Sequence, residues 1–156
     1  MIDQDRKEFL IRKNKGLHIL DDYLSGVSSV LKRNVNKEEL ISLQDSEAIT
    51  NSELFKLITS YSSVEKVFAD HDIENLNNQL HSIKSSKCYV YLSHYSKYCG
   101  LLYLPTTEAL NNLVELVKFD RDDVYLCDLD VIYGVHLEYI EKKSGNSFEL
   151  RVYGEL

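Results

Sequence analysis

The spacing of the apolar residues changes near residue 87, and this change limits the folds that the chain can adopt. Before that point apolar side chains recur every three or four residues, which is the period of an amphipathic helix. After it they alternate with polar or aromatic residues, which is the period of a β-strand. The 156 residues contain no Pro/Gly-rich linker and no internal repeat. We therefore expect one α+β domain over residues 1–156, with a helical subregion of about 1–86 and a strand-rich subregion of about 87–156.

Four to five helices are predicted in the first half. Helix starts are expected near Asn36 and Thr50, because each has a glutamate three residues later that can complete a capping box. A further apolar stripe runs from Ile73 to Ile83 and follows Asp72, which can cap it. The clearest stripe, which we expect to pack on the rest of the domain, consists of Leu10, Leu17, Leu20, Leu24, Val27 and Leu31.

The second half is predicted to form a mainly antiparallel sheet with the element order β-β-α-β-β-β. Pro105 should end the second strand, since it offers no amide to a sheet, and Thr106 or Thr107 can then cap the helix. A loop at residues 144–146 is typical of a β-hairpin. The strands are expected at about residues 88–92, 98–104, 124–127, 131–139 and 148–152.

The last hairpin has two chemically different faces. Its apolar face is expected to carry Val135, Leu137, Phe148, Leu150 and Val152. Its other face is expected to carry His136, Glu138, Glu149, Arg151 and Tyr153. The sheet should thus be covered on one side only, leaving the other side available to a partner.

The charge of the chain restricts its partners. The formal net charge of −7 disfavours nucleic acid or an anionic membrane and favours a basic partner. The start of the sequence lacks the basic and apolar layout of a signal peptide, and no apolar run approaches the ~20 residues that span a bilayer. We expect a cytoplasmic protein.

Cysteine and histidine spacing predicts no metal centre and no cofactor. Cys88, Cys99 and Cys127 form no C-x-x-C pair and leave an odd thiol, so neither a disulfide framework nor a zinc ribbon is indicated. No two of the five histidines have the i, i+4 spacing that places two ligands on one helix face. His94 or His136 could activate Cys99 or Cys127 as a nucleophile, but unpaired buried thiols are the favoured interpretation.

One short apolar strand is surrounded by carboxylates. Asp120, Asp122 and Asp123 precede Val124 to Cys127, and Asp128 and Asp130 follow it. The chain also has 11 tyrosines and no tryptophan, and nine of the tyrosines fall in the strand half. Tyrosine fits half-buried sheet positions, but beside carboxylates it also suits recognition of a basic protein surface.

The C-terminal layout resembles the small acidic immunity proteins of bacterial toxin systems, among them those of contact-dependent growth inhibition. The resemblance covers roughly the last seventy residues: a strand ending at Pro105, a short helix, and the strand 123–130 ending in acids. It implies a cytoplasmic protein that binds one cognate toxin domain, commonly a basic nuclease, and blocks it. No catalytic residue carries over.

The leading hypothesis is a non-enzymatic inhibitor, either a monomer or a homodimer, that binds a basic toxin domain. Its expected contact residues are Asp120, Asp122, Asp123, Tyr125, Asp128, Asp130, Tyr133 and Glu138.

Two other classes stay open. Asp128 and Asp130 resemble the D-x-D element with which glycosyltransferases hold a divalent cation, although no Gly-rich phosphate loop precedes them. A small metal-dependent enzyme is therefore one alternative. The other is an adaptor or assembly subunit in which the stripe from Leu10 to Leu31 forms a dimer seam.

Overall fold

An antiparallel sheet organises the chain, and helices cover one of its faces. The computed structural model describes residues 2–52, 55–56, 64–69, 86–131 and 133–153. The described helices are α1 (Ile2–Leu31), a short 3-10 helix (Lys37–Glu39), α2 (Leu43–Thr50), α3 (Ser96–Cys99), α4 (Thr106–Asn111) and α5 (Leu113–Asp120). The described strands are β1 (Val64–Ala69), β2 (Lys87–Leu92), β3 (Leu102–Pro105), β4 (Asp123–Asp128), β5 (Gly134–Ile140) and β6 (Ser147–Tyr153).

The six strands lie in the order β1-β6-β5-β4-β2-β3, and every neighbouring pair is antiparallel. The predicted α+β class is confirmed. The finer element order differs, because β1 precedes the expected strands and α3 lies between β2 and β3. The strand β4 is central, with Tyr125 opposite Tyr91 of β2 on one side and opposite His136 of β5 on the other.

The strand β1 corrects the prediction that the first 86 residues are helical. The spacing of Val64, Val67 and Phe68 fits a helix as well as a strand over so short a segment. Pairing with β6 along all six residues decides the conformation, and Phe68, opposite Phe148, is buried in the core. Backbone pairing with a distant segment thus overrides a weak local pattern.

The main core lies between the sheet and the helices α1, α4 and α5. The predicted apolar face of the last hairpin is confirmed, since Val135, Leu137, Phe148, Leu150 and Val152 are all buried there. At the helical side, Tyr95 stacks between Tyr23 and Phe119, with ring centroids 4.8 and 5.1 Å apart. This stack ties α1 to α5 through the segment that follows β2.

Only part of the predicted apolar stripe on α1 is buried. Val27 and Leu31 belong to the core, whereas Leu10 is 52% exposed and Leu17 is 67% exposed. The core cluster takes α1 residues only from Tyr23 onward. The expectation that the whole stripe packs inside the domain is therefore wrong for its N-terminal part. None of the described helices combines the length and the apolar character needed to cross a membrane.

Of the helix starts predicted near Asn36 and Thr50, only the first is correct. The Asn36 amide donates to the Glu39 carboxylate at 3.1 Å, as a capping box requires, and a 3-10 helix begins there. Thr50 instead ends α2, and it is the Ser52 hydroxyl that accepts from the Phe55 amide at 3.1 Å. The helix predicted over 73–83 lies outside the described residues.

Two strand starts were placed too early. Residues 96–99 form α3 because the Ser96 hydroxyl accepts from the Leu92 amide at 2.9 Å and closes a tight turn, so β3 begins only at Leu102. Val131, expected at the start of the strand that becomes β5, has φ of 55° and belongs to the turn that precedes it. Pro105 ends β3 as predicted.

Candidate protein-binding surface on the outer face of the sheet

The face of the sheet opposite α1, α4 and α5 carries polar and aromatic side chains, and we call it the outer face. Alternation along each strand sends these residues away from the main core. Strand pairing then places them side by side, which local sequence does not reveal. The outer face comprises Tyr103, Tyr89, Tyr91, Asp123, Tyr125, Cys127, His136, Glu138, Glu149, Arg151 and Tyr153.

His136 is the centre of a hydrogen-bonded network on this face. Its Nε2 lies 2.9 Å from Asp123 Oδ2, and its Nδ1 lies 3.2 Å from Arg151 Nη1. Because a guanidinium only donates, Nδ1 must accept, and the imidazole proton is then assigned to Nε2, which donates to Asp123. His136 is 5% exposed, so the arrangement holds a neutral imidazole between a cation and an anion.

The His136 network favours the charged form of the Asp123 carboxyl group. Partial burial acts to raise its pKa, but the hydrogen bond from His136 acts against that effect, and the pKa lies below its usual value. Asp123 therefore carries its charge throughout the physiological range. Both ring nitrogens of His136 are occupied by structural partners, so this histidine is not placed as a general base for a substrate.

Tyr125 packs flat against His136. The two rings are 4.1 Å apart and nearly parallel, and Tyr91 meets Tyr125 edge-on at 6.3 Å. Burial and the neighbouring charge of Asp123 raise the pKa of Tyr125 to about 12. The phenol stays neutral at physiological pH and keeps a hydroxyl group that can both donate and accept.

Arg151 holds the remaining acids of the network. Its guanidinium pairs with Glu138 at 3.4 Å and also with Glu149. Neither glutamate is fully buried. Among the described side chains, the carboxylates of Asp123, Glu138 and Glu149 outnumber the Arg151 guanidinium, so this part of the network has a negative balance and its side chains are already ordered.

One end of the outer face is covered, which corrects the expectation that the sheet is covered on one side only. Cys127, Val131 and Tyr153 form a second small core, and Ile49, Phe55, Tyr89 and one side of Tyr125 pack against it. The opposite end, with Asp123, Glu138 and Tyr91, carries half-exposed side chains. We call this part the accessible end of the outer face.

The structure separates six of the eight predicted contact residues into three groups. Asp123, Tyr125 and Glu138 lie together on the outer face. Asp122 is exposed just before β4. Asp128 ends β4, roughly 17 Å from Asp123 along five strand residues, and Asp130 lies just beyond it, so the five carboxylates do not form one cluster.

Asp120 and Tyr133 are not brought to the surface. Asp120 is 3% exposed at the end of α5, where its carboxylate accepts from the Ser93 hydroxyl at 2.7 Å and from the His94 amide at 2.9 Å. Tyr133 is 7% exposed and belongs to the main core. Both residues serve packing in this structure. Spacing in the sequence did not reveal this, because their burial depends on segments that meet only in the fold.

Ser93, His94 and Asp120 have the residue types of a catalytic triad but not its geometry. The Ser93 hydroxyl donates to Asp120, and His94 Nδ1 lies 2.8 Å from the Asp120 backbone carbonyl. In a triad the histidine would accept from the serine and the aspartate would orient the histidine. Here the aspartate binds both groups and closes the turn between β2 and α3.

The cysteines lack the environment of nucleophiles. Burial raises the pKa of Cys127 to about 12 and that of Cys99 to about 11. The Cys99 thiol donates to the Gly16 carbonyl at 3.5 Å. These thiols stay protonated at physiological pH. Cys88 and Cys127 are buried, as favoured from the sequence, whereas Cys99 is half-buried at the end of α3.

The acidic turn at Asp128 and Asp130 is closed by the protein itself. The Asp128 carboxylate accepts from the Tyr133 amide at 3.2 Å, and the Asp128 carbonyl accepts from the Val131 amide at 3.1 Å. Asp130 is exposed. Within the described ranges, no three histidine, cysteine or acidic side chains are grouped so that they could hold a metal ion. This geometry does not favour the metal-dependent enzyme over an ordinary acidic turn.

Comparison with protein-family models, with curated proteins and with solved structures returned no match.

Some residues of the outer face were absent from the predicted contact set. Tyr89 and Tyr91 alternate with buried residues on β2, and this alternation was a usable signal. Their placement beside Tyr125 follows only from the pairing of β2 with β4. Arg151 and Glu149 were assigned to the polar face of the hairpin, but their links to Glu138 were not foreseeable from spacing alone.

Proposed function

We propose that this protein is a non-enzymatic immunity protein that binds and neutralises one cognate bacterial toxin domain in the cytoplasm. The proposed partner is a basic domain such as a nuclease. The net charge of −7 and the resemblance of the C-terminal layout support this proposal. Its main support is the accessible end of the outer face, where the half-buried Tyr91 and Tyr125 adjoin the carboxylates of Asp123 and Glu138.

The ordering of these side chains suits inhibition. Binding ordinarily costs free energy when flexible side chains are immobilised. Here Tyr125 is held by His136, and Glu138 is held by Arg151, before any partner arrives. Tyrosine rings add buried area at low entropic cost, and the carboxylates attract lysine and arginine of a basic partner.

The proposed contact set is narrower than the sequence predicted. Asp122, Asp123, Tyr125 and Glu138 are retained, and Tyr91 is added because it borders Tyr125 at the accessible end. Asp128 and Asp130 form a second acidic surface at the other end of β4. Asp120 and Tyr133 support the fold beneath the surface.

Affinity purification tests the partner directly. The tagged protein would be recovered from its native host with its neighbouring genes expressed, and bound proteins would be identified by mass spectrometry at moderate salt. We expect one basic toxin domain in stoichiometric amount. Recovery of the protein alone would contradict the proposal.

Charge reversal locates the interface on the recovered toxin domain. Glu138→Lys and Asp122→Lys should weaken binding by about tenfold or more and flatten its dependence on salt, because favourable charge contacts become repulsive. Asp122 is exposed, so its variant leaves the Arg151 network intact. The matched control is Glu115→Lys on α5, whose side chain is 61% exposed in the helical layer.

Each of these variants changes the net charge by the same amount, so any difference in affinity between them reflects the position of the substituted residue. Circular dichroism and thermal unfolding would verify that each variant folds. If Glu115→Lys weakens binding as much as the outer-face variants do, the loss of affinity comes from net charge alone and does not locate the interface. Unchanged binding in both outer-face variants would remove this end of the sheet from the interface.

A further inference from the structure

The N-terminal part of α1 exposes apolar side chains on the side that faces away from the core. Leu10, Ile11 and Leu17 are 52%, 59% and 67% exposed. The opposite side of the same helix contacts the domain, with Gly16 against the Tyr98 backbone and Arg12 paired with Glu47. Large apolar residues grouped on an exposed helix face indicate a contact surface rather than core packing.

The residues along the centre of this face follow a heptad spacing. Lys7, Leu10, Asn14, Leu17 and Asp21 are separated by three, four, three and four residues, which is the a/d pattern of paired helices. All five are exposed. We call this row the α1 seam.

The charges of the α1 seam are arranged symmetrically about Asn14. Lys7 lies seven residues before Asn14, and Asp21 lies seven residues after it. A second copy lying antiparallel across Asn14 places Lys7 opposite Asp21 twice. It also brings Leu10 of each copy within one residue of the position opposite Leu17 of the other, and Leu17 opposite Ile11. A parallel copy would place Lys7 opposite Lys7 and Asp21 opposite Asp21, which is repulsive.

These charges have no competing partner within the described part of the chain. Neither Lys7 nor Asp21 takes part in an ion pair there, whereas the nearby Arg12 is paired with Glu47. Asn14 at the centre can hydrogen bond to its own copy across a two-fold axis, which is how a buried asparagine specifies register in paired helices.

We propose that the α1 seam is a homodimer interface in which two copies pack antiparallel about a two-fold axis at Asn14. The occupant is a second copy of this chain because the seam is complementary to itself. The interface is small, so the dimer forms reversibly, with dissociation at roughly micromolar to submillimolar protein. The α1 seam is distinct from the outer face of the sheet, and the inference does not depend on the proposed function.

Sedimentation of purified protein over a range of concentrations measures the dimer dissociation constant. Variants that reverse the charge at Lys7 or at Asp21 then test the interface. Lys7→Asp and Asp21→Lys should each raise the dimer dissociation constant by about tenfold or more, since each puts like charges opposite one another. The double variant restores opposite charges and should return most of the affinity. Leu17→Glu should abolish the dimer. These residues are exposed, so folding is preserved and is checked by circular dichroism.

A monomeric wild-type protein at the highest concentration would overturn the proposal. A dimer that is insensitive to both single charge variants would also overturn it, because self-association would then use another surface. Failure of the double variant to recover affinity would exclude the Lys7 to Asp21 pairing and with it the antiparallel register.

Cross-linking tests the position of the axis. Asn14→Cys should form a disulfide-linked dimer on mild oxidation, because the two copies meet at this residue. Ser25→Cys is the matched control on the same helix, also exposed, and its two thiols would lie about 33 Å apart in the antiparallel dimer. The wild-type protein measures the background from its own cysteines. Efficient cross-linking of Ser25→Cys, or none with Asn14→Cys, would contradict the arrangement.

Discussion

His136 acquires its role entirely from residues that are distant in the sequence. Asp123 is thirteen positions before it and Arg151 is fifteen positions after it, yet the three side chains form one hydrogen-bonded row across β4, β5 and β6. The arginine forces the imidazole to accept at Nδ1, and the aspartate accepts from Nε2. A neutral histidine is thereby locked beneath Tyr125, which gives the outer face a rigid centre.

The depressed pKa of Asp123 predicts a stability change in acid. A carboxyl whose pKa is lower in the folded state stabilises the fold above its unfolded pKa, and this contribution disappears as pH falls through the folded value. Asp123→Asn should therefore lower the free energy of unfolding by about 1–2 kcal/mol at pH 7. The difference from wild type should shrink below the usual pKa of 3.8.

Urea unfolding at pH 7 and at pH 3 measures this difference, with the exposed Asp130→Asn as the matched control. The control should have little effect at either pH, since Asp130 lies at the surface. A destabilisation by Asp123→Asn that grows on acidification would contradict the assignment of the charged carboxylate to this network.

At the scale of elements, α1 is positioned by its glycines. A Cβ at Gly16 would overlap the backbone carbonyl of Tyr98, and one at Gly26 would overlap the ring of Phe119. That ring is itself stacked on Tyr95 and has little room to move. Glycine usually weakens a helix interior, so its presence at these two positions reflects close approach of α1 to α3 and α5.

Gly16→Ala is expected to destabilise the protein by about 1–3 kcal/mol, although alanine is the better helix former. The overlap is with backbone atoms, which cannot turn aside as a flexible side chain could. Thermal or urea unfolding measures the effect. Ser25→Ala, at an exposed position of the same helix, should be neutral or slightly stabilising. A Gly16→Ala protein that is more stable than wild type would refute the close packing of α1 on α3.

At the scale of the whole molecule, the two candidate surfaces lie on different layers. The outer face belongs to the sheet, and the α1 seam belongs to the helical side. A dimer through α1 would therefore leave the outer faces of both copies available. In the proposed complex, the excess of acids over the whole chain would favour encounter with a basic partner, and the ordered tyrosines would hold the partner once bound.

Charge attraction and tyrosine burial should affect different rate constants of binding to the recovered toxin domain. Asp122→Lys should slow association, because long-range charge steering acts on the encounter. Tyr91→Ala should leave association nearly unchanged and speed dissociation, because its buried area is lost only from the bound state. Stopped-flow association at low and high salt, with dissociation by competition, measures both rates. Equal effects of the two variants on association would contradict this division.

Local periodicity determined much of the fold and little of the candidate site. The change from helical to strand spacing identified the α+β class, and alternation placed Val135, Leu137 and Phe148 in the core, because side-chain direction within one element is a local property. The identity of β1 as a strand depended on pairing with β6. The burial of Asp120 and the joining of His136 to Asp123 depended likewise on chain segments that meet only after folding. Such long-range pairing has no signature in the spacing of neighbouring residues, so only the tertiary structure decided it.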